Sequence, residues 1–202
     1  GQDASLTSVM DEGHAAIVLT VGERTFAGLR CPLPGAHQAA NTAAAVASCA
    51  LLLGDRLTDQ AVQAGLAATP RDGRLEVVAR EPTIIIDGAH TPASVRATLE
   101  SLPPREGPLV IIFGCARDKD TPGMLAELAR HEALVVMTEA GPRAASAADL
   151  ARLHAQGERP ARAARVVAEA VRLARRQATE RGLVVALGSF MVAGAVKASV
   201  QS

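Results

Sequence analysis

Four short polar stretches follow apolar runs in this 202-residue sequence, and their side chains are the ones suited to chemistry. The run "TIII" (83–86) leads into Asp87 and His90, and the run "LVIIF" (109–113) leads into the charged loop "ARDKD" (116–120). A carboxylate at a strand end can accept hydrogen bonds from a ribose diol, a histidine can donate to a phosphate, and a lysine can bind an anion. These residue types indicate a site for a ligand that carries phosphate or carboxylate groups.

Alternation of strands and helices after residue 70 would bring these stretches together. Strands are predicted at 75–79, 83–87, 109–113, 134–138 and 183–187, and helices at about 92–102, 122–131, 147–155, 160–179 and 190–199. The near-continuous apolar strands are typical of a parallel sheet covered by helices on both faces. The fold class is therefore α/β with a mostly parallel, doubly wound sheet. Its strand ends would place Glu139, Arg143, Gly188 and Ser189 at the same edge as Asp87.

The first 70 residues have a different pattern. Residues 15–30 predict two strands joined around Gly22–Glu23, and two helices are predicted at 41–54 and 57–68, the second starting at Thr58 or Asp59. The segment "TPRDGR" (69–74) is typical of a linker, which places a domain boundary near residue 70. Two later helices are predicted to begin with a threonine cap followed by proline, at Thr91-Pro92 and Thr121-Pro122.

Each candidate side chain also has a purely structural interpretation. Asp87 could cap the following turn or helix, and His90 could be a structural hydrogen-bonder near a helix start. Lys119 lies between Asp118 and Asp120 and could be paired within its own loop, or could offer its charge to an anionic substrate. Arg74 could clamp a phosphate or could simply solvate the linker.

Composition excludes several function classes. The formal net charge is zero and neither Trp nor Tyr is present, which argues against a nucleic-acid partner. No apolar run reaches the roughly 18 residues of a membrane span, so no membrane partner is expected. The three cysteines form no C-x-x-C pair and no secretory signal is apparent, which favours a cytoplasmic location. The sequence shows no metal-ligand cluster, no G-x-S-x-G nucleophile motif and no Walker A loop.

Five ordered motifs together resemble one enzyme family. They are "LPGAHQAANTAAAVA" (33–47), "DGRLEVVAREPTIIIDGAHTP" (72–92), "IIFGCARDKDTPGML" (111–125), "TEAGPRAASAADL" (139–150) and "LVVALGSFMVAGAV" (183–196). In this order they resemble the C-terminal part of the folylpolyglutamate synthase and dihydrofolate synthase family, which belongs to the Mur-type ATP-dependent amide ligases. The resemblance covers roughly residues 15–200.

The resemblance implies a two-domain organisation and a reaction. Residues 1–70 would be the C-terminal remnant of a central P-loop ATPase domain, and residues 71–202 a Rossmann-like C-terminal glutamate ligase domain. The family uses ATP to activate a carboxylate of folate or dihydropteroate as an acyl phosphate, which the amino group of L-glutamate attacks. The P-loop and the Mg²⁺ ligands would lie before residue 1, so the missing ATPase domain is an expected partner and this chain alone should be inactive.

The family's functional residues carry over to positions that match its motifs. By resemblance, Asn41 would contact adenine with support from His37, Arg74 would reach the ATP phosphates, and Asp87 would contact the ribose. His90 would lie near the γ-phosphate and the reaction intermediate as a catalytic residue. Lys119, with a catalytic and substrate-binding role, would form the glutamate pocket together with Asp120 and Ser189. No metal ligand is expected in this chain.

Two alternative functions remain open from the sequence. The chain could belong to another amide ligase of the Mur superfamily, one that acts on a peptidoglycan precursor or a poly-amino acid. It could also be a non-catalytic binding module that keeps the Rossmann-like domain without an ATPase.

Overall fold

The computed structural model describes residues 4–11, 14–157 and 159–201. The chain divides into two compact units, Gly1–Asp72 and Gly73–Ser202. Within the described residues, no helix combines the length and the apolar character needed to cross a membrane.

The first unit is a three-stranded antiparallel sheet with two helices. Its elements in chain order are β1 (Ala4–Asp11), β2 (His14–Val21), β3 (Arg24–Arg30), α1 (His37–Leu53), a 3-10 turn (Gly54–Arg56) and α2 (Asp59–Ala67). The predicted hairpin is confirmed, and Thr58 caps α2 by accepting a hydrogen bond from the Ala61 amide at 3.1 Å. Inward side chains of β2 and β3, such as Ile17 and Phe26, pack with Val46 of α1 in one core.

Two features of this unit differ from the prediction. Strand β1 was not predicted, because side chains 4–9 are all exposed and the sequence there lacks the apolar alternation of a half-buried strand. Helix α1 begins at His37 instead of residue 41, and its N-cap Ala36 makes no side-chain hydrogen bond. Asn41 therefore lies inside the helix and does not cap it.

The second unit is a six-stranded sheet covered on both faces. Its elements are β4 (Glu76–Arg80), β5 (Thr83–Ile86), α3 (Pro92–Glu100), β6 (Leu109–Phe113), α4 (Thr121–Leu128), β7 (Leu134–Met137), α5 (Ala147–Ala155), β8 (Ala161–Ala163), α6 (Val167–Ala178), β9 (Leu183–Leu187) and α7 (Phe190–Gln201). The strand order is β4-β5-β9-β6-β7-β8, in which only the β4–β5 pair is antiparallel. The predicted mostly parallel α/β fold is confirmed.

Burial on both faces explains the continuous apolar strands. In β9, Leu183, Val185 and Leu187 face the core under α3, α4 and α5, whereas Val184 and Ala186 face the core under α6 and α7. All five residues of β9 are buried, as are all five of β6. Burial of each large aliphatic side chain contributes roughly 1.5 to 3 kcal/mol, so these two strands anchor the unit.

Two predictions about local structure in this unit were wrong. The helix predicted at 160–179 is divided into β8 and α6, because the Ala/Arg-rich segment pairs with β7 at the sheet edge despite its helical propensity. Thr121 was predicted to cap α4, but Asp120 does so, accepting a hydrogen bond from the Gly123 amide at 2.9 Å. Thr91 caps α3 as predicted, in a capping box with Ser94.

An ion pair joins α3 to α4 and gives a prediction about acid stability. Arg96 donates from Nε to Oε2 of Glu127 at 3.0 Å and from Nη2 to Oε1 at 2.5 Å, and the Glu127 side chain is only 9 % exposed. The hydrogen bond from Arg96 lowers the pKa of Glu127. Because the folded-state pKa is lowered, the stabilisation is fully present above the unfolded pKa of about 4.3 and is lost as the pH falls through the folded value.

The variant Arg96→Met should therefore be less stable than the unaltered chain near neutral pH. Its stability should also fall less steeply between about pH 5 and about pH 3. Urea unfolding at several pH values measures both effects. Arg152→Met is the matched control, because Arg152 pairs with Asp149 on an exposed face of α5. If the free energy of unfolding of Arg96→Met and of the unaltered chain changed equally with pH, the Arg96–Glu127 pair would not be the source of the acid sensitivity.

Candidate functional site

A pocket of about 380 Å³ lies at the carboxyl ends of the parallel strands in the second unit. The loops that follow β5, β6, β7 and β9 all contribute to its wall, as the strand-end rule predicts for an open α/β sheet. The chain leaves the adjacent strands β6 and β9 in opposite directions along the sheet. After β6 it continues toward β7, and after β9 it continues into α7, which packs against β5. The lining residues are His90, Ala116, Lys119, Ala140, Gly141, Pro142, Arg143, Ala144, Gly188, Ser189, Phe190 and Met191.

Lys119 presents an uncompensated positive charge to this pocket. Its side chain is exposed, and within the described residues it has no ion-pair or hydrogen-bond partner. Both neighbouring acids are engaged elsewhere, since Asp118 pairs with Arg143 at 3.3 Å and Asp120 caps α4. The structure therefore does not show Lys119 paired with Asp118 or Asp120, which was one of the two interpretations of this loop.

His90 lines the same pocket in a defined tautomer. Its Nδ1 lies 2.9 Å from the carbonyl oxygen of Gly88, and because a carbonyl only accepts hydrogen bonds, Nδ1 carries the hydrogen. In the neutral ring, Nε2 is then the acceptor and is not used by this contact. The His90 amide donates to Ser94 Oγ at 3.0 Å, which ties the backbone of the histidine to the start of α3.

Ser189 and Asp120, both predicted to bind substrate, each hold the start of a helix. Ser189 Oγ accepts a hydrogen bond from the Val192 amide at 3.2 Å and so caps α7, and it lines the pocket. Asp120 caps α4 and does not line the pocket. The amino end of α7 adds partial positive charge to the two cationic side chains of the wall, so the pocket favours anions.

Asp87 is buried and satisfied by three protein donors. The side chain is 4 % exposed; Oδ1 accepts from the Ala89 amide at 2.8 Å and from Thr98 Oγ1 at 3.1 Å, and Oδ2 accepts from the Leu75 amide at 2.9 Å. The carboxylate therefore ties the entry of β4, the loop after β5 and helix α3 together. Contact with a ribose remains a prediction, and it would have to use the remaining acceptor capacity of these two oxygens.

Arg74 lies near the pocket without lining it. Its guanidinium carbon is 4.8 Å from the centre of the Phe190 ring, and within the described part of the chain it makes no hydrogen bond or ion pair. Its charge is therefore available to a ligand.

The two adenine-contact candidates lie in the first unit and are linked through a third side chain. Gln38 Nε2 is 2.8 Å from His37 Nε2, and Gln38 Oε1 accepts a hydrogen bond from Asn41 Nδ2 at 3.0 Å. Gln38 is buried, whereas Asn41 is exposed. Gln38 was not among the predicted site residues, because the predicted helix began at residue 41 and left Gln38 outside it.

Arg143, Phe190 and Met191 are pocket residues that were not among the predicted site residues. Arg143 was predicted to lie at the same sheet edge as Asp87 but was given no binding role, and Phe190 and Met191 were predicted only as the start of a helix. Phe190 is 48 % exposed and Met191 is 56 % exposed, which is unusual for large apolar side chains. The rule that loops after parallel strands share one edge, which placed Arg143 there, also applies to Phe190 and Met191.

Other reactive groups do not extend this site. Burial raises the pKa of the Cys115 thiol, which therefore stays protonated near neutral pH and is a poor nucleophile. The described residues contain no group of three or more His, Cys, Asp or Glu side chains that could hold a metal ion. A larger pocket of about 510 Å³ lies at the opposite edge of the sheet, where its charged lining residues are Arg105 and Glu132. We favour the smaller pocket because strand ends, a helix start and two cations meet there.

Known proteins place this chain in a family. The family described as "Mur ligase, glutamate ligase domain" matches residues 73–190. A probable bifunctional folylpolyglutamate synthase/dihydropteroate synthase of Halobacterium salinarum is 32 % identical over 199 residues, which are 96 % of this chain and 24 % of that protein. A UDP-N-acetylmuramoyl-L-alanyl-D-glutamate--2,6-diaminopimelate ligase of Chlamydia caviae is 37 % identical over 120 residues, which are 56 % of this chain and 25 % of that protein.

A solved structure agrees with the fold. The folylpolyglutamate synthase of Mycobacterium tuberculosis complexed with ADP and AMPPCP superposes with a TM-score of 0.84 at 30 % identity, covering 100 % of this chain and 48 % of that one. The chain thus spans about a quarter of the first relative and about half of this structure. The resemblance read from the five motifs is confirmed, and the chain belongs to the Mur ligase family, with the glutamate ligase domain at residues 73–190.

Proposed function

We propose that this chain is part of an ATP-dependent ligase that joins L-glutamate to a folate or to dihydropteroate. The observation that carries the proposal is the pocket at the carboxyl ends of the strands, which is lined by Lys119, without a side-chain partner among the described residues, by Arg143 and by the amino end of α7. Residues 1–72 would then be the end of an ATPase domain, and the full-length protein would supply the P-loop.

The proposed reaction has two balanced steps. A substrate carboxylate attacks the γ-phosphorus of ATP, which forms an acyl phosphate and releases ADP. The glutamate amine then attacks the acyl carbon, loses a proton, and expels inorganic phosphate as the amide forms. In the neutral ring, His90 Nε2 is an acceptor at the pocket wall, where it could take that proton or contact the phosphoryl group.

The nucleotide contacts follow the family pattern. Arg74 would contact the phosphates, for which its guanidinium is available, and Asp87 the ribose. Asn41, oriented by Gln38 and His37, would contact adenine. The solved relative with ADP and AMPPCP supports nucleotide binding. The described residues do not form a cluster suited to Mg²⁺, so no step is assigned to a metal held by this chain.

The charges of the pocket favour glutamate as the incoming amino acid. The described lining contains two cationic side chains, Lys119 and Arg143, and no carboxylate. The Lys119 ammonium, which has no partner within the described residues, matches one carboxylate of glutamate, and Arg143 would have to exchange its Asp118 partner at 3.3 Å for the other. A diaminopimelate side chain ends in an ammonium as well as a carboxylate and would need an acidic partner.

A diaminopimelate ligase is the second candidate. It is favoured by the Chlamydia caviae relative and by the Arg143–Asp118 pair, which offers one charge of each sign at the edge of the pocket. The non-catalytic module is the third possibility, and it is tested by the same assay.

The test is an assay of the full-length protein with ATP and two sets of substrates. ADP release and mass-detected product are measured with L-glutamate plus dihydropteroate or tetrahydrofolate, and with diaminopimelate plus UDP-N-acetylmuramoyl-L-alanyl-D-glutamate. We expect a glutamylated folate or dihydropteroate and no product from the second set. Product from the second set alone would replace the folate proposal. No product from either set would rule out both ligases and leave the binding module or a ligase that acts on a poly-amino acid.

A further inference from the structure

The first residue of α7, Phe190, has an aromatic ring placed between two glycines and an arginine. The chain has three phenylalanines, and Phe190 is 48 % exposed although its side chain is large and apolar. The other two phenylalanines, Phe26 and Phe113, are only 1 % and 0 % exposed. The position of Phe190 beside the pocket therefore needs an explanation other than core packing.

One edge of the ring lies directly against the backbone of two segments. A Cβ atom added to Gly88 would be 2.4 Å from the ring, and one added to Gly73 would be 3.3 Å from it. Gly88 also donates from its amide to the Gly73 carbonyl at 2.8 Å, so the two glycines form one surface. Only glycine at position 88 leaves room for the ring where it lies.

The Arg74 guanidinium lies over the ring, with its central carbon 4.8 Å from the ring centre. The backbone on both sides of Arg74 is held by other contacts. Gly73 donates to Glu76 Oε2 at 2.9 Å, and Leu75, in a left-handed conformation with φ of 46°, donates to Asp87 Oδ2 at 2.9 Å. The backbone at Arg74 is thus fixed. Within the described residues, the guanidinium makes no hydrogen bond or ion pair, and its contact is with the Phe190 ring.

We propose that Phe190 is a positioning residue whose ring orients the Arg74 guanidinium for an anionic ligand group at the carboxyl edge of the sheet. Because the guanidinium carbon lies over the ring, the ring contacts the guanidinium on one side and leaves its N–H donors available on the others, where they can bind phosphate oxygens in pairs. The ring also restricts an otherwise flexible side chain before the ligand arrives. The consequence for ATP rests on the proposed function, whereas the stacking itself does not.

Kinetics of the full-length ligase test the consequence for ATP. Phe190→Leu, which keeps apolar bulk but removes the ring, should lower kcat/KM for ATP roughly 3- to 30-fold, the range typical of cation–π contacts. Phe190→Tyr keeps the ring face and should stay within about twofold of the unaltered enzyme. In an Arg74→Ala background, Phe190→Leu should have no further effect. An unchanged kcat/KM in Phe190→Leu, or an equal loss in Phe190→Tyr, would overturn the proposal.

Side-chain NMR separates a failure of this proposal from a failure of the proposed function. In arginine-labelled protein, the Arg74 Hδ and Hε resonances, assigned by their absence from Arg74→Lys, should be shifted upfield by the ring current. The shift should vanish in Phe190→Leu and persist in Phe190→Tyr. If the unaltered protein shows no ligase turnover, the proposed function fails, and this measurement alone then decides for or against the stacking. Arg74 resonances at ordinary positions would reject it.

Discussion

Lys119→Met in the full-length ligase is expected to lower kcat/KM for glutamate by about 100-fold, which corresponds to about 2.7 kcal/mol. The Lys119 ammonium lines the pocket without an ion-pair partner in the described part of the chain, so its charge is available to a substrate carboxylate. Methionine keeps most of the side-chain length and removes the charge. The loss should therefore reflect the missing charge-assisted hydrogen bond rather than a change in packing.

The matched controls separate charge from structure. Lys119→Arg keeps the charge and should retain activity within about tenfold, because the guanidinium differs in shape and hydration. Arg162→Met, on the exposed edge strand β8, should leave kcat/KM unchanged. Steady-state kinetics at several glutamate concentrations measure kcat/KM for each variant. The unaltered enzyme should also bind glutamate less tightly as the salt concentration rises, because salt screens the charge of Lys119. A Lys119→Met enzyme with unchanged kcat/KM would remove the lysine from the site.

Asp87→Ala is expected to lower the free energy of unfolding of the second unit by about 3 to 5 kcal/mol. The substitution leaves three donors without an acceptor: the Ala89 amide and the Thr98 hydroxyl, which are buried, and the Leu75 amide, which is partly buried. It also releases Leu75, whose left-handed backbone conformation is costly for a leucine without the bond from its amide. Urea unfolding followed by circular dichroism measures the change.

Two related variants divide this effect among its contacts. Thr98→Val removes one donor and should cost about 1 kcal/mol, and Asp87→Asn keeps one oxygen acceptor and should fall between Thr98→Val and Asp87→Ala. If Asp87→Ala unfolds at the same urea concentration as the unaltered chain while its ATP affinity drops, the carboxylate acts mainly on the nucleotide. Loss of stability with unchanged ATP affinity in Asp87→Asn would instead assign it a structural role.

The α/β unit was predictable because its signals are local and repeated. Apolar runs such as "LVIIF" and "LVVAL" coincide with β6 and β9, since both faces of these strands are buried. Strand β8 was missed because its pairing with β7 depends on a neighbour distant in sequence, whereas its Ala and Arg residues favour helix. Local propensity could not show that this segment closes the edge of the sheet.

The candidate site was predictable in its location and less so in its contacts. Strand-end reasoning placed His90, Lys119 and Ser189 at one edge, and all three line the pocket. Asp120 was expected in that pocket, but it caps α4 and does not line the wall. The stacking of Arg74 on Phe190 joins residues far apart in sequence, and no local pattern marks such a contact.

The division of the pocket wall among loops that follow four separate strands has a consequence for how this family diversifies. Each loop is attached to a strand whose own side chains are buried in the sheet, so substitutions at loop positions that hold no helix start leave the packing of the sheet unchanged. Under the proposed function, the amino acid that this pocket accepts can then change by independent small steps. Randomising Ala140, Pro142 and Arg143 would be a small starting library for directed evolution toward a new amino acid. Glu139 would be kept because it accepts a hydrogen bond from the Ala147 amide at 3.0 Å, and Gly141 because its φ is 83°.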